Sequence, residues 1–136
     1  GFGWVYVGVR STTNGKWSVF DIRSGEEITP FKYDKVIGYR EYAAVMLNGK
    51  WGFVDYKGNE MIPLMYDDVK RYGTVQIISF EDPVPVKLNG KWGYINELNK
   101  VVIPFKYDFA FAFENDKAEV RKKRNTYYIN LKGKRI

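Results

Sequence analysis

The block Asn48-Gly-Lys-Trp-Gly-Phe-Val-Asp55 recurs as Asn89-Gly-Lys-Trp-Gly-Tyr-Ile-Asn96, and a looser copy, Asn14-Gly-Lys-Trp-Ser-Val-Phe-Asp21, precedes both. Each copy leads into a second matched segment: Thr29-Pro-Phe-Lys-Tyr-Asp34, Ile62-Pro-Leu-Met-Tyr-Asp67 and Ile103-Pro-Phe-Lys-Tyr-Asp108. Two blocks recurring in the same order mark an internal repeat. Such a repeat sets the fold, because each unit buries its apolar face only by stacking on the next. A degenerate fourth copy, Thr126-Tyr-Tyr-Ile-Asn130 followed by Gly133, has Thr126 where the other copies have Trp and Lys123-Arg124 where they have Asn-Gly. Terminal units of stacked arrays depart from the pattern in this way, since one of their faces has no neighbour. At the other end Val7-Gly-Val9 matches Ala43-Ala-Val45, Val84-Pro-Val86 and Ala118-Glu-Val120, so the sequence opens on the tail of a unit and an upstream continuation is expected.

One unit can be read strand by strand. Asn-Gly between two alternating apolar runs is the turn of a tight hairpin, because both residues tolerate positive φ. A first strand then ends near Leu47 and a second begins near Lys50. Asp55 and Gly58 stand at the first and fourth positions of a type I turn. A third strand follows from Glu60, and Pro63, which cannot donate to a ladder, marks its end or an edge. On the second strand Trp51 and Phe53 face one side and Gly52 and Val54 the other, so this strand is expected to be central and covered on both faces.

The expected fold is all-β: tandem three-stranded antiparallel meanders stacked as an elongated, twisted array, with approximate units 1–36, 37–69, 70–110 and 111–136. A closed propeller- or barrel-like arrangement is the alternative, although three and a half units are few for a ring.

Composition narrows the chemistry. Among 136 residues there is no cysteine and no histidine, so thiolate sites, disulfides and the commonest general base and zinc ligand are missing. No apolar run approaches the ~20 residues of a membrane-spanning helix. The net charge of +6 is unevenly placed. Residues 117–136 hold eight of the 22 basic residues and one of the 16 acids, leaving the rest of the chain close to neutral.

The Gly-Lys-Trp-Gly-(Phe/Tyr)-(Val/Ile)-(Asp/Asn) block followed by Ile-Pro-x-x-Tyr-Asp resembles the bacterial WG-repeat family, also called KWG repeats. The resemblance covers nearly the whole chain and departs at Ser18, in place of Gly, and at Thr126, in place of Trp. It implies a β-repeat protein, often secreted or associated with the cell envelope, that acts in interactions and has no established catalysis. Choline- and cell-wall-binding repeats also carry Gly-Lys-Trp hairpins, but their unit is much shorter and lacks the Pro-x-x-Tyr-Asp segment.

Three sets of residues are candidates for function. Trp17, Trp51 and Trp92, with Phe53 and Tyr94, are expected to form the repeat core, since one position filled in every unit is what packing demands; a stacking ladder for sugars or bases is the alternative. Asp34, Asp67 and Asp108 could align as hard-cation ligands or acid–base groups, but a carboxylate bonding backbone N–H groups in a turn is the plainer reading. Arg121, Lys122, Lys123, Arg124, Lys132, Lys134 and Arg135, with Tyr127 among them, could contact a polyanion or a protein partner; basic residues guarding a sheet edge against aggregation explain the same pattern. No pair of acids is singled out as a glycosidase would require. The expectation is a non-catalytic interaction or scaffold module for a protein partner, with no catalytic residue, metal or cofactor. Glycan, cell-wall or polyanion binding through the basic last copy is the alternative.

Overall fold

A computed structural model describes residues 5–69 and 80–136. The strands in chain order are β1 (Tyr6–Arg10), β2 (Trp17–Asp21), β3 (Lys35–Gly38), β4 (Ala43–Leu47), β5 (Lys50–Val54), β6 (Glu60–Tyr66), β7 (Asp68–Val69), β8 (Val84–Leu88), β9 (Lys91–Ile95), β10 (Val101–Tyr107), β11 (Phe109–Ala110), β12 (Lys117–Lys122) and β13 (Asn125–Asn130). The fold is all-β. Among the described residues no helix is long and apolar enough to cross a membrane. The strands form four sheets, ordered β1-β2, β3-β4-β5-β6, β7-β8-β9-β10 and β11-β12-β13, and none closes into a barrel. Every registered pairing is antiparallel.

The three strands expected of each unit are joined by a fourth. Directly after each Tyr-Asp the chain pairs with the first strand of the following hairpin, as β3 does with β4 and β7 with β8. Sheets therefore begin just past Asp34, Asp67 and Asp108. The expected start of the third unit, residue 70, lies outside the described residues. By contact density the chain divides into two compact units, Gly1–Met65 and Tyr66–Ile136.

Two hairpins have the turn the sequence implies: Asn48 and Gly49 take φ of 53° and 79°, and Asn89 and Gly90 take 51° and 85°. The first hairpin differs. Gly15 has positive φ but Asn14 does not, and the connection from Arg10 to Trp17 closes with Ser11 N–H donating to Lys16 O. The Asn14 carboxamide instead accepts from Lys16 N–H, a local bond that competes with the tight turn.

The third strand does not end at proline. β6 runs through Pro63 to Tyr66, and β10 runs through Pro104 to Tyr107. β10 lies at its sheet's edge, and its register with β9 shifts between Ile103 and Tyr107. A proline without N–H is tolerated at an edge and at a bulge, and both conditions hold here.

The glycine after tryptophan makes room for this bulge. A Cβ built on Gly52 would sit 2.5 Å from Ile62 O, and one on Gly93 would sit 2.8 Å from Ile103 O. In the first copy Ser18 occupies this position and the third strand is reduced to two isolated bridges, Trp17 to Tyr33 and Phe20 to Glu27. The buried Ser18 hydroxyl donates to Thr29 O, the carbonyl matching Ile62 O, and Thr29 Oγ1 accepts from Val19 N–H. Two polar side chains, Ser18 and Thr29, thus each supply a hydrogen bond where the other units have glycine and isoleucine.

In each unit the core comes from the central strands. Trp51, Phe53 and Val54 of β5 are buried, as are Trp92, Tyr94 and Ile95 of β9, so both faces of these strands are covered.

Candidate functional site

The recurring indoles do not form an open ladder. Trp51 is 2% exposed and Trp92 3%, while Trp17 is half-buried. Trp92 meets the edge of Phe109, on the first strand of the following sheet, at 5.2 Å between ring centres. Phe53 and Tyr94 are buried, against Tyr42 (5.5 Å) and Phe113 (5.0 Å), and the Tyr94 hydroxyl donates to Phe111 O at 2.6 Å. Buried aromatic pairs at these separations contribute about 0.5–1.5 kcal/mol each beyond area burial. Thr126, at the tryptophan position of the last copy, is exposed.

The Tyr-Asp dipeptide links each unit to the next through both of its side chains. Asp34 accepts the Asn48 N–H at 2.9 Å, Asp67 accepts the Asn89 N–H at 2.7 Å, and Asp108 accepts the Lys123 N–H at 2.6 Å. In each case the donor is the first turn residue of the following hairpin. The second oxygen of Asp34 accepts from Lys16 Nζ, and that of Asp108 from Lys91 Nζ; these lysines belong to the preceding Asn-Gly-Lys block. The ammonium groups first, and the backbone N–H groups second, hold the Asp34 and Asp108 carboxyls below the usual carboxylate range. The sequence reading of these acids as acceptors of nearby backbone N–H groups holds in the type of bond and differs in its place. The acids bond the next unit's turn, which sequence spacing alone does not show.

The tyrosines of the dipeptide, Tyr33, Tyr66 and Tyr107, are among the largest fully buried side chains. Tyr33 OH donates to Glu60 Oε2 at 3.4 Å, and Tyr66 OH donates to Asn99 Oδ1. Both acceptors lie at or just past the turn that follows the next unit's central strand. Burial, then the Glu60 charge, pushes the Tyr33 phenol up to about 12. These turns are built on one device: Asp55, Asn96 and Asn130 each accept two backbone N–H groups through a single side-chain oxygen.

The basic residues of the last copy are exposed, and Lys132 and Lys134 lie apart from the others. Arg121, Lys122, Lys123 and Arg124 lie at the turn joining β12 to β13, whereas Lys132, Lys134 and Arg135 follow the far end of β13. At about 3.4 Å per residue, the six residues of β13 put Lys132 and Lys134 roughly 17 Å from that turn, and the chain then doubles back so that Arg135 bridges Ile129 and reaches Tyr127. Several cations cover rings: Arg135 lies 4.4 Å from the centre of Tyr127, Lys117 4.9 Å from Tyr128 and Arg121 5.5 Å from Phe111. Lys123 holds φ of 57°, a conformation glycine or asparagine fills with less strain.

An open groove of about 470 Å³ in the first unit was not anticipated from the sequence. Tyr6 and Ile28 supply apolar surface, with Arg23, Glu26, Arg40 and Tyr56 around it. The lining comes from four separate stretches, and apart from Asp21, the last residue of the first block, it lies outside the repeated blocks.

Comparison with curated proteins and with solved structures returned no match. A family model described as WG containing repeat matches residues 17–51, 51–73 and 92–127, more than half of the chain. The matched stretches contain the buried indoles, the glycine seats and the Tyr-Asp links described above, and the chain belongs to the WG-containing repeat family.

Proposed function

We propose that this chain is a non-catalytic interaction module that presents its repeat surface to a protein partner. The observation that carries the reading is the use of the recurring acids. Asp34, Asp67 and Asp108 are the carboxylates that recur in every complete unit, and each is engaged by the backbone of the following hairpin. Residues committed to holding units together leave the variable surface to do the recognition, as in other stacked-repeat proteins. That surface offers apolar side chains: Leu98, Val101, Val102 and Tyr128 of the second unit are exposed. Exposed apolar groups within a polar surround are a common feature of protein-binding surfaces.

The immobilised chain should retain a partner saturably from an extract of its source. Val101→Glu with Val102→Glu should abolish retention while leaving the urea midpoint unchanged. Retention unaffected by that pair and by a matching set of exposed substitutions on the first unit would refute the reading.

A second reading, polyanion or glycan binding by the last copy, is favoured by the exposed run Arg121–Arg124 at one hairpin end. Binding to heparin, to single-stranded DNA and to peptidoglycan at two salt concentrations tests it. An ionic contact weakens steeply with salt, and absence of binding to all three removes the reading.

A further inference from the structure

In registered pairs of the first strand with the central strand, one position recurs: Val9 faces Ser18, Val45 faces Gly52, Val86 faces Gly93 and Val120 faces Tyr127. Gly52 and Gly93 are the seats over which the proline-containing strand passes. Tyr127 therefore occupies the seat of the last unit.

Its ring is partly buried against the second unit's core, and the Arg135 guanidinium lies 4.4 Å from its centre. Arg135 bridges Ile129, as Val101 pairs with Ile95 one unit earlier. The chain after β13 thus starts along the path of β10 and meets a filled seat. Beyond it, β13 turns backbone groups away from β12. Arg121 and Glu119 give their carbonyls to β11, accepting from Asp108 N–H and Phe111 N–H, so the backbone groups of the opposed Thr126 and Tyr128 point outward. Tyr128 O accepts from Ile136 N–H. Thr126 stands where Trp17 and Trp92 pair with Tyr33 and Tyr107.

We infer that the Tyr127 ring, clamped by Arg135, is a plug that closes the outer edge of β13 against addition of an extended Ile-Pro-x-x-Tyr-Asp strand from another molecule carrying repeats of this kind. This inference is independent of the partner proposed above. The plug is steric. A bare Cβ at this position in earlier units already falls within 2.5–2.8 Å of a backbone carbonyl, and a whole phenol excludes the strand outright. Lysine and arginine around the edge add a second barrier to strand pairing.

The probe is a fluorescently labelled peptide with the sequence of residues 103–108, titrated into the full chain and followed by anisotropy. The unmodified chain should show no saturable binding. Tyr127→Gly combined with Arg135→Ala should bind at least tenfold more tightly, with amide protection appearing at Thr126. Tyr127→Ser provides an independent arm, because the first unit shows that serine at this seat still permits the Trp17–Tyr33 pairing; it too should bind. Saturable binding by the unmodified chain equal to that of the variants would overturn the inference. So would absence of binding by both variants once their circular dichroism matches the parent's.

Discussion

Gly52→Ala and Gly93→Ala perturb the contact on which each complete unit depends. The added methyl on Gly52 would lie 2.5 Å from Ile62 O and 2.8 Å from the Pro63 carbonyl, where ordinary contact begins at 3.4 Å. Relief needs a shift of about 0.9 Å in the backbone of β6, against a core packed at near-crystalline density. On Gly93 the nearest atoms are Ile103 O at 2.8 Å and Phe105 N and Cδ1 at 2.9 Å, so about 0.6 Å suffices and the phenyl ring can turn. Overpacking of this kind costs about 1–3 kcal/mol. Replacing glycine by alanine restricts the unfolded chain and returns about 0.4–1 kcal/mol. The expected net losses are therefore about 2 kcal/mol at Gly52 and about 1 kcal/mol at Gly93. Urea unfolding followed by circular dichroism reads them as lowered midpoints at constant slope. If both variants match or exceed the parent's midpoint, the close-approach account of the Trp-Gly pair is wrong.

Trp92→Ala should cost about 3–5 kcal/mol as a buried aromatic, and Trp17→Ala less, because Trp17 is half-buried; the same unfolding curves compare them. Lys123→Asn should raise the midpoint, by about 0.5–1 kcal/mol, since asparagine adopts the positive φ of this turn with less strain. The lowered Asp34 and Asp108 carboxyls contribute stability that is present above their unfolded-state values near pH 4 and lost as pH falls below them. Asp108→Asn should therefore flatten the acid limb of a stability–pH curve measured between pH 5 and 2. At the other extreme, Tyr33 is held up to about 12, so its contribution is complete below pH ~10 and is lost as pH rises through 12. Absorbance at 295 nm should show buried tyrosines ionising together with unfolding, and Tyr33→Phe should reduce that coupling.

Much of the fold is legible because its local rules are strict. Asn48-Gly49 and Asn89-Gly90 can be little other than tight hairpin turns, and Trp-Gly-aromatic-aliphatic strands are apolar on both faces. The fourth strand is not legible. β3, Lys-Val-Ile-Gly, is too short for periodicity to distinguish it from a loop, and β7 has two residues. Its existence depends on pairing with the next hairpin, a non-local fact. Pro63 is read from sequence as a strand end or an edge; β6 and β10 do lie at sheet edges, but both run on past their prolines, and the bulge at Pro104 forms where a glycine in the neighbouring strand lets the backbone come close. The Tyr-Asp segment is visible as a repeat, but its partners lie in the next unit at separations between 14 and 33 residues, which no local rule supplies. Tyr127 stands in plain view at the glycine position of the last copy. Its meaning needs the distance between Gly93 and Ile103 O. The basic residues read as one cluster along the chain, whereas β13 carries Lys132 and Lys134 away from the Arg121–Arg124 turn and the returning chain brings Arg135 back beside Tyr127.

The central claim is that the recurring aromatic positions are interior. Acrylamide quenching of single-tryptophan variants, with the other indoles replaced by phenylalanine, measures it. Trp51 and Trp92 should be shielded close to the limit of a fully buried indole, with Trp17 intermediate. Quenching of Trp51 and Trp92 at the rate of free tryptophan in the folded protein would place those rings in water and contradict the account.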